Sequence, residues 1–436
     1  MKQIICFVYR IDMSFIERIL ASANREEADI DEIGLLNALL NAIDNLNLQQ
    51  LEAVIHSELT AKQARRFVMA AVFDLMVAAK YYAHVEETEW FFCLNASNES
   101  KNTLFYPFTN TCPFCVLKGE FHFHRSHKPQ SGLIGAATRK LLILMMRELL
   151  RRKGHQVDVY SASEPADTIF VDRSVSPILV LFAEVKSAPL LTPALMITTP
   201  RHNTRLEGER ILHGSANISL LQQTLFISIP QWQQNAQVWV SEYFPIGQKR
   251  DITDLKWAFK GIQRLLETHP QFLYTYFNYW IYSFEAYRTK NRQTSVFWMT
   301  NGCGQPPLAR NILHWPQRRG AGGYESISDG KTSVGMDRTD DIKKSVYQAI
   351  KLGIKGKYEA NYHYKVAVLS NIHAVRHFNE YFADIENVMW FRSEAPTVHH
   401  TGELPSDTTV FNLFDGLIAF TEVRSRDAWL SSLFDF

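Results

Sequence analysis

Apolar positions recur every three or four residues through residues 13–83, a spacing that predicts helices along the whole stretch. Ser14 with Glu17, and Thr60 with Gln63, are the paired residues of capping boxes that would start two of them. Leu36, Leu39, Leu40 and Ile43 form one apolar stripe, and Phe67, Ala71 and Leu75 another. Over 84–132 the pattern breaks into aromatic, loop-like sequence. A further helix is predicted over 135–153, with Leu142, Met145, Met146 and Leu149 on one side, Lys140, Arg147 and Arg151 along another, and Gly154 as its C-cap. The period then shortens to two, which predicts strands at 156–160, 168–171 and 178–186. Residues 187–338 read as a large insertion. It has strands at 224–229, 238–243 and 295–299, an aromatic-rich helical stretch over 253–287, and a Gly/Pro/Arg-rich loop over 303–323. A helix over 340–353 and a strand over 364–369 restore an α/β pattern, so the order is helix, three strands, helix, strand.

The chain has 436 residues, 46% of them hydrophobic and 21% charged, as expected of a soluble globular protein of about two to four domains. A net charge of +1 argues against a polycation that coats nucleic acid, so any DNA site must be locally basic. Residues 118–155 fit, with Lys118, Arg125, Lys128, Arg139, Lys140, Arg147, Arg151, Arg152 and Lys153. The five cysteines, at 6, 93, 112, 115 and 303, are too few for a disulfide scaffold. The apolar run from Ile4 to Tyr9 is short for a signal peptide and no segment has the length of a membrane span, which leads us to expect a cytoplasmic protein.

Two clusters carry candidate chemistry. Asp167 opens one apolar strand, and Glu184, Val185 and Lys186 close the next. Alternation puts Glu184 and Lys186 on one face, where Asp167 can join them. Two carboxylates can hold a hard divalent cation and a lysine can orient a water. The acid-x-Lys triplets beginning at Asp254, Asp329 and Asp341 lack the apolar strand before them. Asp329 and Lys331 with Glu325 remain a second placement for catalysis. The other cluster is Cys112-Pro113-Phe114-Cys115 followed by His122, His124 and His127. Cys112, Cys115, His122 and His127 give a compact zinc-knuckle spacing, with His124 able to replace either histidine and Cys93 as a spare ligand. Such a closed site would be structural.

Asp167 and the Glu184-Val185-Lys186 triplet, at the second and third strands of that order, resemble the PD-(D/E)XK nuclease superfamily over residues 135–186 and 340–370. Ala166 separates Pro165 from Asp167, and a long gap precedes the helix at Asp340; both depart from the family pattern. The resemblance implies a mixed-sheet α/β core with the following division of the chain: a helical N-terminal domain (1–90), a zinc-binding module (91–132), the first half of the core (133–188), an insertion suited to DNA recognition (189–338), and the second half with a C-terminal region (339–436). A chain of this size resembles a type II restriction endonuclease. The resemblance implies that Asp167, Glu184 and the Val185 carbonyl bind Mg²⁺, that Lys186 activates water, and that Gln348 or Lys344 supplies a further polar group. It also implies double-stranded DNA as substrate. A palindromic target would imply a homodimer.

Arg139, Lys140, Arg147 and Arg151 are candidate DNA contacts, and Arg201, Asn203, Arg205, Arg310, Asn311, Arg318 and Arg319 candidate base readers. Glu148 is a candidate extra carboxylate. A partner-dependent transposition, repair or defence nuclease, and a non-catalytic zinc-dependent DNA-binding protein, are the rival expectations.

Overall fold

The computed structural model describes residues 14–85, 90–98, 101–106, 108–109, 111–121, 131–162, 166–200, 221–304, 334–337, 339–359, 361–391 and 407–436. Helix α1 (Phe15–Ser22) starts on the expected capping box, Ser14 and Glu17 each accepting the other's backbone N–H. The chain then leaves the helical pattern: Asn24–Arg25 is a short edge strand, β1, and Glu26 N–H donates to the Val159 carbonyl. Helices α2 (Ile30–Asp44), α3 (Glu52–His56) and α4 (Ala61–Tyr82) follow, α4 on the Thr60/Gln63 box. Next come strands β2 (Phe91–Asn98) and β3 (Lys101–Tyr106), the one-and-a-half-turn α5 (Pro113–Leu117), and α6 (Ser131–Arg152). Strands β4 (Val157–Ser161), β5 (Thr168–Asp172) and β6 (Ile178–Val185) lie where the alternation places them.

Within the insertion, β7 (Ala194–Pro200), β8 (Leu225–Gln233) and β9 (Val238–Gly247) precede α7 (Trp257–Thr268) and α8 (Gln271–Arg288). The expected single helical stretch divides at His269–Pro270, because proline lacks the N–H a continuing helix needs. Ser295–Met299, expected as a strand, is a 3-10 helix in which Phe297 N–H donates to Thr294 and Thr300 N–H to Phe297. Five apolar-rich residues do not distinguish the two conformations by period alone. The chain closes with α9 (Thr339–Gly356), β10 (Tyr362–Ser370), α10 (Phe378–Tyr381), β11 (Met389–Trp390), β12 (Phe411–Asn412), β13 (Gly416–Ala419), β14 (Val423–Ser425) and α11 (Ala428–Leu433). The chain is therefore α/β. No helix among the described residues is long and apolar enough to cross a membrane.

The main sheet is mixed, in the order β1-β4-β5-β6-β10-β13-β14. Strands β4, β5 and β6 form an antiparallel meander, and β10 and β13 then add in parallel. Alternation gives β6 two apolar faces. Leu179, Leu181, Ala183 and Val185 share a core with Leu142, Met145 and Met146 of α6. Val180 and Phe182 face the other way, against Ile16 of α1 and Ile342, Ala349 and Leu352 of α9. Sheet and helices thus bury both faces, as the parallel crossover from β6 to β10 requires.

A second, antiparallel sheet has the order β2-β3-β7-β8-β9. Strand β3 pairs with β7 from Lys101 opposite Pro200 to Tyr106 opposite Leu195. The strands of the expected 91–132 module are therefore the edge of the insertion's sheet, and the boundary at 132 separates partners. A two-stranded hairpin alone buries too little to be stable, and the insertion supplies the missing strands.

Asp74, fully buried in the middle of α4, ties these parts together. Its carboxylate accepts from Leu191 N–H at 2.9 Å and Trp280 Nε1 at 2.7 Å, with Asn371 Nδ2 at 3.5 Å. Asn371 in turn brackets Ala188 through both its side-chain atoms. The segment just after Lys186 is thereby fixed to α4, to α8 and to the end of β10. Replacing Asp74 by alanine leaves buried donors without acceptors, each costing about 1–3 kcal/mol, so a loss of about 3–5 kcal/mol in unfolding free energy is expected. Urea denaturation measures it, and a loss below 1 kcal/mol would rule this anchoring role out.

Candidate functional site

Antiparallel register brings the first cluster together. Thr168 lies opposite Ala183, so one step further along the hairpin Asp167 lies opposite Glu184, both on the face that Val180 and Phe182 share. Lys186, two residues beyond Glu184, falls on the same face. Its ammonium sits 2.7 Å from Glu184 Oε1 and 3.7 Å from Asp167 Oδ2. Asp167 Oδ2 also accepts the Val185 N–H at 2.9 Å, which clamps the carboxylate across the strand end. All three expected side chains converge. Glu184 is buried, whereas the Asp167 side chain is 36% exposed, so the cluster opens to solvent on the Asp167 side.

Burial and then the neighbouring Asp167 carboxylate push the Glu184 carboxyl up to about 7, against the pull of Lys186. Two carboxylates with a single ammonium between them leave a surplus of negative charge, the electrostatic condition under which a cation or a proton is taken up. A shift of this size, at a partly open site with a named charge partner, is a mark of functional positions.

The α6 N-terminal turns support this hairpin from the side. Arg139 donates to the Asp167 carbonyl at 3.0 Å and pairs with Glu26 at 2.8 Å, and the Thr138 hydroxyl donates to the Ser187 carbonyl at 2.9 Å. Arg139, expected as a DNA contact, therefore holds the strand end in place. Arg147 is buried and pairs with Glu148 at 3.1 Å, and Arg151 pairs with the same carboxylate at 2.9 Å. Glu148 is thus engaged by two guanidinium groups on α6, on the opposite side of the sheet from Glu184. Lys140 is exposed.

On α9, which packs on the face of the sheet that carries Glu184, Gln348 Oε1 is buried with no hydrogen-bond partner among the described residues, while Lys344 is exposed. Pro165, Arg201, Asn203, Arg205, Arg310, Asn311, Arg318 and Arg319, and the alternative set Glu325, Asp329 and Lys331, lie outside the described residues.

The second cluster gains a member. Cys112 caps α5, Cys115 sits within it, and Cys93 reaches them from β2, the three sulfurs all lying within 4.8 Å of one another. Cys112 Sγ is 3.2 Å and Cys115 Sγ 3.7 Å from Cys93 Sγ. Three buried thiols at these distances lie close enough to hold one metal ion. Tetrahedral thiolates about 2.3 Å from a zinc ion would be roughly 3.8 Å apart; the Cys93–Cys115 spacing matches this and the Cys93–Cys112 spacing is shorter. The local fold follows from the short helix: Pro113 at its first turn, and Gly119 at φ +76° where the chain turns back with Glu120 N–H donating to the Cys115 carbonyl. Phe105, Phe114 and Met196 seal the thiols from solvent, and burial pushes the Cys112 thiol well up. His122, His124 and His127 lie outside the described residues. Cys93, the spare of the sequence reading, is the third thiol, and only its residue type signalled it nineteen residues ahead of Cys112.

Comparison with family models, with curated proteins and with solved structures gave no match to this chain. The geometry of the two clusters therefore carries the functional reading.

Proposed function

We propose that the chain is a divalent-metal-dependent endodeoxyribonuclease of the type II, site-specific kind, with Asp167, Glu184 and Lys186 as its catalytic residues and a structural zinc at the cysteine cluster. The observation that carries this reading is the convergence of two carboxylates and one ammonium on a single face at the open end of the β5–β6 hairpin. The order of helix, three antiparallel strands, helix and parallel strand around that hairpin, the order expected of the PD-(D/E)XK core, supports it.

Asp167 and Glu184, with the Val185 carbonyl, would hold the magnesium ion, which when bound neutralises charge on a scissile phosphate and acidifies water. Arg139 and the Val185 N–H keep Asp167 in register for that task. Lys186 donates hydrogen bonds from Nζ, orients the attacking water and stabilises the negative charge growing on it. Gln348, whose amide oxygen has no partner among the described residues, would be a further acceptor for an ordered water from the helix over this face. Supercoiled plasmid incubated with Mg²⁺ tests the proposal: discrete fragments with reproducible ends are expected. A plasmid left intact with Mg²⁺, Mn²⁺ and Co²⁺ alike would overturn it.

The raised Glu184 carboxyl fixes the pH dependence. Its ordinary value near 4.5 applies to the unfolded chain and about 7 to the metal-free folded protein. The folded state thus holds a proton that the unfolded state has released, and this stabilisation is full below about 4.5 and lost as pH rises through about 7. Magnesium must displace the same proton, so its affinity is expected to rise about tenfold per pH unit below 7 and to level off above. Melting temperatures with and without Mg²⁺ at pH 5.5 and 8 check this. Equal magnesium shifts at both values would count against it, and Glu184→Gln should remove the pH dependence.

A further inference from the structure

A cavity of about 480 Å³ lies between the end of β9 and the start of α7, far along the chain from either cluster. Gly247, Gln248 and Arg250 form one wall, and Trp257, Lys260 and Arg264 the other. Backbone geometry opens it. A register shift between Leu225 and Phe226 puts a bulge into β9 just before its end, and Gly247 then takes φ +99°, a conformation that favours glycine, so the chain swings away from the sheet. Gly261 lets α7 lie against that bulge, since a Cβ there would come within 2.2 Å of the Ile246 carbonyl oxygen.

The described lining carries three cations, Arg250, Lys260 and Arg264, against one carboxylate. Among the described residues, no carboxylate lies within ion-pairing distance of Arg250 or Arg264. Lys260 is 3.9 Å from Asp31, whose carboxylate already binds Lys256 at 2.5 Å. Among the described residues Asp254 is the one acid on the wall, and its Oδ1 accepts the Lys256 N–H at the foot of α7. Behind the wall, Lys249 is fully buried and donates to the Ala83 carbonyl beyond the C-terminus of α4, beside the Trp257 Nε1 bond to the Tyr82 carbonyl. Finally, α7 begins at the cavity wall with no side-chain cap on its N-terminal amides, the end of a helix that favours negative charge.

We propose that this cleft binds phosphate oxyanions through Arg250, Lys260 and Arg264. Guanidinium groups that no described carboxylate engages can grip phosphate bidentately, and a cleft with a surplus of one sign of charge raises the local concentration of the other. If the nuclease reading holds, the phosphates are those of a DNA backbone, and the cleft positions the duplex without reading its bases. A free phosphate compound is the other source of the same chemistry.

The full chain and its Arg250→Ala/Arg264→Ala double variant, titrated without added magnesium against a short DNA duplex and against pyrophosphate over a range of salt, separate these. Both arginines are exposed, so an unchanged melting temperature is expected. For a backbone site, duplex affinity falls at least about tenfold and the salt slope becomes shallower by about two, since each phosphate contact contributes nearly one. The Arg18→Ala variant, an exposed cation elsewhere, serves as the control. Loss of pyrophosphate binding with unchanged duplex binding assigns the cleft to a free phosphate compound. Unchanged binding of both probes overturns the proposal. Plasmid cleavage by the unsubstituted chain is read separately: intact plasmid there, together with lost duplex binding in the double variant, removes the nuclease and leaves the cleft, whereas cut plasmid with unchanged binding of both probes in the double variant does the opposite.

Discussion

Substituting Lys186 by alanine is expected to lower plasmid cleavage by about a hundred- to a thousandfold while leaving the melting temperature within a few degrees, the size of loss that follows removal of one preorganised donor from a transition state. Lys186 is half-buried and stands between the two carboxylates, so its removal costs charge compensation at the site more than packing. Asp167→Asn and Glu184→Gln keep shape and remove charge, and each should lower cleavage at least as far because the metal then has one carboxylate. The losses should not add: a group that acts as a unit fails when any member is missing, so Asp167→Asn with Lys186→Ala should be little worse than either alone. Lys331→Ala should cut normally. Full activity of Lys186→Ala, or loss only in Lys331→Ala, would move the chemistry away from the hairpin.

The second large effect concerns the thiols. Purified protein should carry one zinc per chain, and Cys93→Ser should release it as readily as Cys112→Ser or Cys115→Ser. Changes that merely support a metal ligand weaken binding about 10- to 100-fold, so loss of a ligand itself should exceed that. Binding energies of structural zinc in peptides reach about 10 kcal/mol, and here they would be expressed as folding of α5 onto β2 and β3. Elemental analysis and thermal melting with and without a chelator read both consequences. Zinc retained in Cys93→Ser would remove that residue from the site, and a parent free of zinc would reduce the cluster to three packed thiols.

The two clusters differ in how far the sequence revealed them, and the reason is the range of the contacts involved. Asp167, Glu184 and Lys186 sit on one tight antiparallel hairpin, so period-two alternation and a short connection were enough to place all three on one face. Cys112 and Cys115 share a single helical turn and were equally plain. Cys93 belongs to another strand, and its approach depends on the pairing of β2 with β3 and of β3 with β7, which no local pattern encodes. For the same reason the insertion was visible as an insertion, but its shared sheet with residues 91–106 was not. The intramolecular partners of Arg139 and Arg147 on the basic stripe of α6 were not legible, because spacing shows which side of a helix a charge occupies and not which carboxylate or carbonyl awaits it. The segment 13–83 looked uniformly helical, yet at Asn24–Arg25 the edge of β4 offered backbone partners.

The pairing of β6 with β10, with Ile178 beside Tyr362, has a consequence for how this molecule matures. Contacts spanning so much intervening sequence close late, since the loop must be ordered before the pairing rewards it. A ribosome therefore delivers Asp167, Glu184 and Lys186 long before the neighbouring strand and its covering helix emerge. A nascent or truncated polypeptide that stops short of β10 carries Asp167, Glu184 and Lys186 without that supporting layer, so the cluster gains its full surroundings only after residue 370 has been made.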